Sequence, residues 1–374
     1  MKYGFLLCIL IILSCNKTDE ISTDQQIWEY ANPAQVQLND DSLFDLNERL
    51  NNEFYGFIDG LIIIKDDRLV FENYYFGNSR NTRHSLKEAS INFTLSALGI
   101  ALADRSLTFS SRIADFLPEY KAIFEEDSRK ESITIENLLL NNSGFAWNES
   151  ITNSLSPEND LNLMKLEDDW IAFVLGKPLE ALPGQRTAFN SASMILLAKV
   201  IENSTNMDFL DFLDQRLLRP LEIESLQIDQ DPGGNYDAAT GISVSLIDWT
   251  KLGYLWQQNG LWQNRILLDE DFVSEATSTV RIIDTRRELG YFWQRFGSVF
   301  QGTINTELST SYYLAEENGI QLHIIPDDNM VVGIIADNPF TILCYSPDPL
   351  SNFCNPSISV LVDVLNSKPV GTNL

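Results

Sequence analysis

Apolar positions along the chain follow two periods, and the switches between them outline the elements. In "DSLFDLNERLNNEF" (41–54), Leu43, Leu46 and Leu50 recur at helical spacing behind Asp41 or Ser42 as N-cap. "GLIIIKDDRLVFENYYF" (60–76) is two apolar runs around Asp66-Asp67, the pattern of a strand, a turn and a second strand. A polar turn, "HSLKEAS", then runs into an apolar helix of small residues, "INFTLSALGIALA", with Gly99 and three alanines. Residues 110–240 read mostly helical, in "ITIENLLLNNSG", "DDWIAFVLGKP", "SASMILLAKVIENST" and "MDFLDFLDQRLL". Strand patterns return in "LGYFWQRFG" and in "IQLHIIP" and "MVVGIIADN" around Asp327-Asp328-Asn329, and "SISVLVDVLNS" is a closing helix. Strands at both ends with helices between predict an α/β protein of the α+β kind. Its antiparallel sheet draws on both termini and is interrupted by a helical insert at about 110–240.

Charge narrows the partners. The 374 residues hold 53 acidic against 26 basic side chains, a net charge of −27, with no Lys/Arg cluster. Such a field repels phosphate backbones, so a nucleic-acid partner is not expected. His84 and His323 are the only histidines and neither has metal-ligand spacing around it, so neither a metal nor a cofactor is expected.

The first residues, "MKYGFLLCILIILSCNKTDE", join Lys2 to an apolar run too short to cross a bilayer. Ile12-Leu13-Ser14-Cys15 resembles the lipobox of bacterial lipoproteins. The resemblance implies a signal peptide over 1–14, cleavage before Cys15 and acylation of that residue. The chain would then be exported and lipid-anchored to the cell envelope, periplasmic or surface-facing, with the membrane as a partner. The alternative is a plain secretory signal. Polar residues after Cys15 suggest a tether over 15–40, with a folded domain over 41–370. Cys344 and Cys354 bracket "CYSPDPLSNFC" and, in an oxidising compartment, either close a local disulfide or remain buried thiols.

Several stretches together resemble serine β-lactamase-related proteins: class C β-lactamases, D-alanyl-D-alanine carboxypeptidases, penicillin-binding proteins and related esterases. "LVFENYYFGNSRNTRHSL" is similar to the strand and loop before the family's nucleophile, and "ITIENLLLNNSGFAWNE" to its helix-to-turn segment. "LPGQRTAFNSASMILLAKVIE" is similar to the second motif with its helix, and "TGISVSLIDWTKLGYLWQQNGLWQNRILL" to the segment packed behind the sheet. The resemblance implies a β-lactamase-like fold with a cleft between an α/β domain and a helical subdomain.

It also implies three motifs, and this chain departs from each. In Ser-x-x-Lys, one helical turn sets the base beside the nucleophile. Here the two positions fall on Glu88 and Ile91; shifting the frame by one gives Ala89 and Asn92. The Tyr of the second motif falls on Phe189, followed by Asn190 and Ser191, and the phenol that relays protons is gone. Lys/His-x-Gly, on an edge strand, falls on Glu317-Asn318-Gly319, with only Gly319 retained. Ser85 and Ser90 have no lysine three residues on and read as helix-capping or solvent-facing serines; His84 reads as structural. Glu88 suits a helix start through the dipole, and a sharper idea pairs it with Glu316 or Glu317 across the cleft. The expected function is a non-catalytic binding or scaffolding pseudoenzyme of the envelope, with a cell-wall or small-molecule ligand in the cleft. The alternatives are a residual or repurposed hydrolase of an ester or amide, and a purely structural envelope protein.

Overall fold

The structure, a computed structural model, describes residues 27–149, 156, 158–282, 287–296, 310–315, 319–336 and 356–368. Strand β1 (Glu29–Tyr30) leads through a 3-10 turn to helix α1 (Asp40–Asn51). Asn39 caps this helix, its side chain accepting the Ser42 amide at 2.9 Å, so the helix starts before the Asp41 or Ser42 cap that spacing suggests. Strands β2 (Ile58–Lys65) and β3 (Arg68–Tyr74) follow, joined by Asp66 and Asp67 at φ 51 and 59, the left-handed pair a tight hairpin turn requires. Then come β4 (Arg83–Ser85) and α2 (Ile91–Ala103).

After a run of short helical segments the chain forms α3 (Ser193–Thr205), β5 (Gln227–Ile228), β6 (Ile242–Ser245) and α4 (Leu246–Gln257). A small hairpin, β7 (Leu261–Trp262) and β8 (Arg265–Ile266), precedes α5 (Glu270–Thr277). The remaining strands are β9 (Arg281–Ile282), β10 (Arg287–Leu289), β11 (Gln294–Phe296), β12 (Tyr312–Ala315), β13 (Gln321–Ile325) and β14 (Met330–Ala336), before α6 (Pro356–Asn366). The segment "LGYFWQRFG", expected to be one strand, is divided between β10 and β11 by a turn at Gly290–Trp293.

Nine strands form one sheet in the order β1-β3-β2-β14-β13-β12-β11-β10-β9. All neighbours are antiparallel except β1 with β3. Strands from both ends of the chain thus meet at β2 and β14, as the alternation of strand and helix patterns implied. Ile62 and Ile64 of β2 point into a core shared with α2 and α4, while Leu61 and Ile63 point into a second core with α1 and α6. Helix α4 lies close on the sheet because Gly333 has no side chain: a Cβ there would come within 2.6 Å of Thr250 Oγ1.

The tether expected over 15–40 ends earlier. Trp28 is buried edge-on against Tyr254 and Trp262, and Ala31, Val36 and Leu38 are buried as well, because β1 adds to the sheet and carries them inward. The signal region, Cys15, Cys344 and Cys354 lie outside the described residues. No helix among the described residues is long and apolar enough to cross a membrane.

His323 of β13 is wholly buried beside the stacked rings of Tyr313 and Phe296, with Nε2 at 2.7 Å from Gln321 Oε1, and burial pushes its pKa down to about 3. The unfolded chain therefore binds a proton that the folded chain refuses between about pH 6.5 and 3. Folding stability should fall with pH across that window, with a slope of up to about 1.4 kcal/mol per unit from this residue. Urea denaturation of His323→Phe at several pH values should show that acid slope reduced by one proton; an unchanged slope refutes the assignment.

Candidate functional site

The turn ahead of α2 is built by pairing, not by helix propensity. His84 of β4 lies opposite Val244 of β6, the Leu86 amide donates to the Ile242 carbonyl at 2.9 Å, and Ser90 Oγ accepts the Ile242 amide at 3.2 Å. Ser90 is therefore buried and ties β6 to α2, neither capping nor facing solvent as its sequence position suggested. Ser85 is exposed on β4 and His84 is half-buried on the same strand. Lys87 is held at φ 51, a left-handed conformation that a non-glycine residue adopts only under constraint.

Glu88 follows Lys87 and is half-buried; no salt bridge among the described residues includes it. Ile91 is 2% exposed and belongs to the main core. Ala89 and Asn92, the shifted frame, are fully buried, so neither frame presents a hydroxyl and an ammonium together. Helix α2 is packed nearly all round because it is apolar nearly all round, and two of its polar side chains are bonded to neighbouring elements. Thr94 Oγ1 donates to the Ala238 carbonyl at 2.7 Å, and Trp256 Nε1 donates to Ser96 Oγ at 2.9 Å.

The start of α3, packed against α2, supplies the second part. The Asn141 carbonyl accepts the Ala188 amide at 2.8 Å and its side chain accepts the Asn190 amide at 3.0 Å, so the Asn-Asn-Ser-Gly turn clamps the approach to the helix. Phe189 is half-buried and meets Phe292 edge-on, with ring centroids 6.0 Å apart. Asn190 and Ser191 behind it are buried.

A residue not singled out by sequence joins the two parts. Glu149 Oε2 accepts the Ser191 amide at 2.9 Å and Trp147 Nε1 at 2.7 Å, while its Oε1 is out of solvent with no partner. Burial, with a smaller contribution from the negative charge of Glu88, pushes the Glu149 carboxyl above the usual carboxylate range. The carboxylate of Glu88 thus stands in the field of Glu149. Glu316 and Glu317, its partners in the sharper sequence idea, lie outside the described residues together with Asn318. The only sequence signal for Glu149 is its place five residues after the Ser-Gly turn, in "SGFAWNE".

Seven of the fifteen buried side-chain nitrogen and oxygen atoms without a geometric hydrogen bond among the described residues belong to Asn92, Asn190, Ser191, Ser193 and Glu149, at the starts of α2 and α3 and beside them. Among the described residues Lys165 and Lys177 are committed to Asp237 at 3.1 Å and Asp160 at 2.5 Å. In the acidic loop from Asp229 to Asp237, Asp231 accepts from Trp170 and Asn235, and Asp237 from Thr240. No cluster of His, Cys, Asp or Glu that could hold a metal occurs among the described residues.

Gly319 is not a strand residue. It lies in the turn between β12 and β13 at φ 98, where a side chain would be strained, and this accounts for the glycine. The strand leading into it, β12, is internal to the sheet and reads Tyr-Tyr-Leu-Ala, with no cation.

The matching family model, Beta-lactamase, spans residues 59–337. Protein flp of Staphylococcus aureus is 24% identical over 180 residues, 46% of this chain and 34% of that protein, so the chain spans about a third of the length of the curated relatives it matches. Among solved structures, EstCE1, a hydrolase with promiscuous acyltransferase activity, superposes with a TM-score of 0.67 at 12% identity, covering 88% of this chain and 99% of that one. A class C β-lactamase in complex with cefoxitin superposes with a TM-score of 0.62 at 13% identity, covering 90% and 99%. At such identities these structures speak to the fold, a mixed α/β arrangement with an antiparallel sheet flanked by helices, and with the family model they establish that this chain belongs to the beta-lactamase family.

Proposed function

We propose that the chain is a non-catalytic, ligand-binding member of this family, held at the bacterial envelope by a lipid on Cys15. One observation carries the reading. At the positions onto which the resemblance maps the motif's serine and lysine stand Glu88, which is half-buried, and Ile91, which belongs to the core. Without a neighbouring base a hydroxyl is a poor nucleophile, and position 88 carries no hydroxyl. Phe189 adds no proton relay. Glu88 and Phe189 remain half-exposed, which supports an accessible binding cleft over a filled one.

Two experiments test this reading. Intact-mass spectrometry after exposure to a penicillin or a fluorophosphonate should show no stoichiometric adduct. An adduct mapped to Ser85, Ser90 or Ser191 overturns the non-catalytic reading. For the anchor, the expressed protein should partition with membranes, and Cys15→Ala should block processing and lipidation. A Cys15→Ala protein that is cleaved normally and partitions as before points instead to an ordinary signal peptide.

A further inference from the structure

We infer that the β7–β8 hairpin is a membrane contact: the cross-strand pair Leu261 and Ile266 rests in the interface of a zwitterionic phospholipid bilayer. The inference rests on the lipid-anchor reading of Cys15 and adds the surface that the domain turns toward the membrane.

The hairpin faces two ways. Gln263 and Asn264, both left-handed at φ 46 and 63, close it as a two-residue turn, so Leu261 stands opposite Ile266 and Trp262 opposite Arg265. Successive side chains point to opposite faces of a strand, and Trp262 takes the inner one. It is buried edge-on against Trp28 and Tyr254, with ring centroids 6.3 and 5.8 Å away. Leu261 and Ile266 are left outside, 43% and 79% exposed. Single exposed apolar residues are ordinary on a folded surface. Two that face each other beside a tight turn, with exposed Gln263, Asn264 and Arg265 at its tip, form an amphipathic unit suited to the boundary between headgroups and acyl chains.

The place of the hairpin supplies the occupant. Trp28, against which Trp262 packs, is the first buried residue among those described. Residues 15–26 separate it and Ile27 from Cys15, and backbone geometry caps the reach of that stretch at about 40 Å. A lipid on Cys15 therefore brings this side of the domain to the bilayer first. It also makes the hairpin's contact intramolecular, at a high effective concentration. Two apolar side chains are too few to hold a protein on a membrane alone, but they can orient one that is already anchored. They also cover far less area than a stable protein interface needs, which disfavours a second protein as the occupant. Charge selects the headgroup. A chain of net charge −27, with Asp269, Glu270 and Asp271 directly after the hairpin, is repelled by anionic lipid, so the surface is zwitterionic.

The seven native tryptophans are at most 9% exposed, so a tryptophan placed on the surface reports its own surroundings. The full chain is expressed with Ile266→Trp, and the mature protein, its lipid verified by intact mass, is placed in phosphatidylcholine vesicles with ordinary or brominated acyl chains. Emission added by the new tryptophan should fall by about half or more on the brominated chains, because an indole at this boundary lies beside the quencher. Leu166→Trp, at a position 80% exposed in the helical insert, is the matched control and should be quenched no more than the unaltered protein. If Ile266→Trp fails to fold, Leu261→Trp at the facing position takes its place. Equal quenching at 266 and 166, or none at 266 in a lipidated protein, overturns the inference and leaves the anchor standing. A mature protein without lipid removes the anchor, and the inference with it.

Discussion

The antiparallel ladder between Ile58–Lys65 and Met330–Ala336 joins the two ends of the domain, and all the helical segments between them are one long excursion from it. Closing so long a loop costs entropy that local contacts cannot offset. Apolar surface offsets it here. Leu61 to Ile64 are buried on alternating faces, and β14 is buried along its whole length. At about 25 cal/mol per Å² of apolar surface, residues buried on both sides of a sheet are among the most stabilising a chain can supply. Helix α4 then seats on the face opened by Gly333, and α2 packs into the same core with α3 beside it. The position of Glu88 is thus a late consequence of a pairing between strands that lie far from it in sequence.

That geometry separates what the scaffold needs from what the cleft contains. The ties that aim the turn before α2 are backbone pairs and one buried serine, and none requires a nucleophile. Lys87 keeps its strained conformation although the residue after it is a carboxylate. Strain of this kind persists only where the surroundings impose it, and here β4 and β6 do so. These ties hold the turn in place whatever side chain stands at position 88.

Much of this was legible in sequence, for definite reasons. The β2–β3 hairpin announces itself through Asp66-Asp67 between β-branched runs, and the β13–β14 pair through Pro326 to Asn329. Glu88, Ile91 and Phe189 stand out only through the resemblance, by their offsets from apolar and glycine landmarks. Trp28 escaped notice because a two-residue strand has no period to detect, and its burial depends on Tyr254 and Trp262. The role of Ser90 is not legible locally, because its partner, the Ile242 amide, lies far along the chain. An acidic residue after a turn, such as Glu149, reads as surface, and only the Trp147 indole and the Ser191 amide draw it inside. The positive φ of Gly319 favours glycine there whether or not a motif does.

On one side the sheet ends in a strand of two residues, Glu29–Tyr30. A long, flat, apolar border would expose a row of unpaired amides and carbonyls on which another molecule's strand could add. Here the outermost strand pairs only with Arg68 and Leu69 and carries a negative charge at Glu29, and the stretch of β3 beyond it holds Glu72 and Asn73 among its residues. For a sheet with so much buried isoleucine, valine and leucine, a border of that kind offers another strand a poor template.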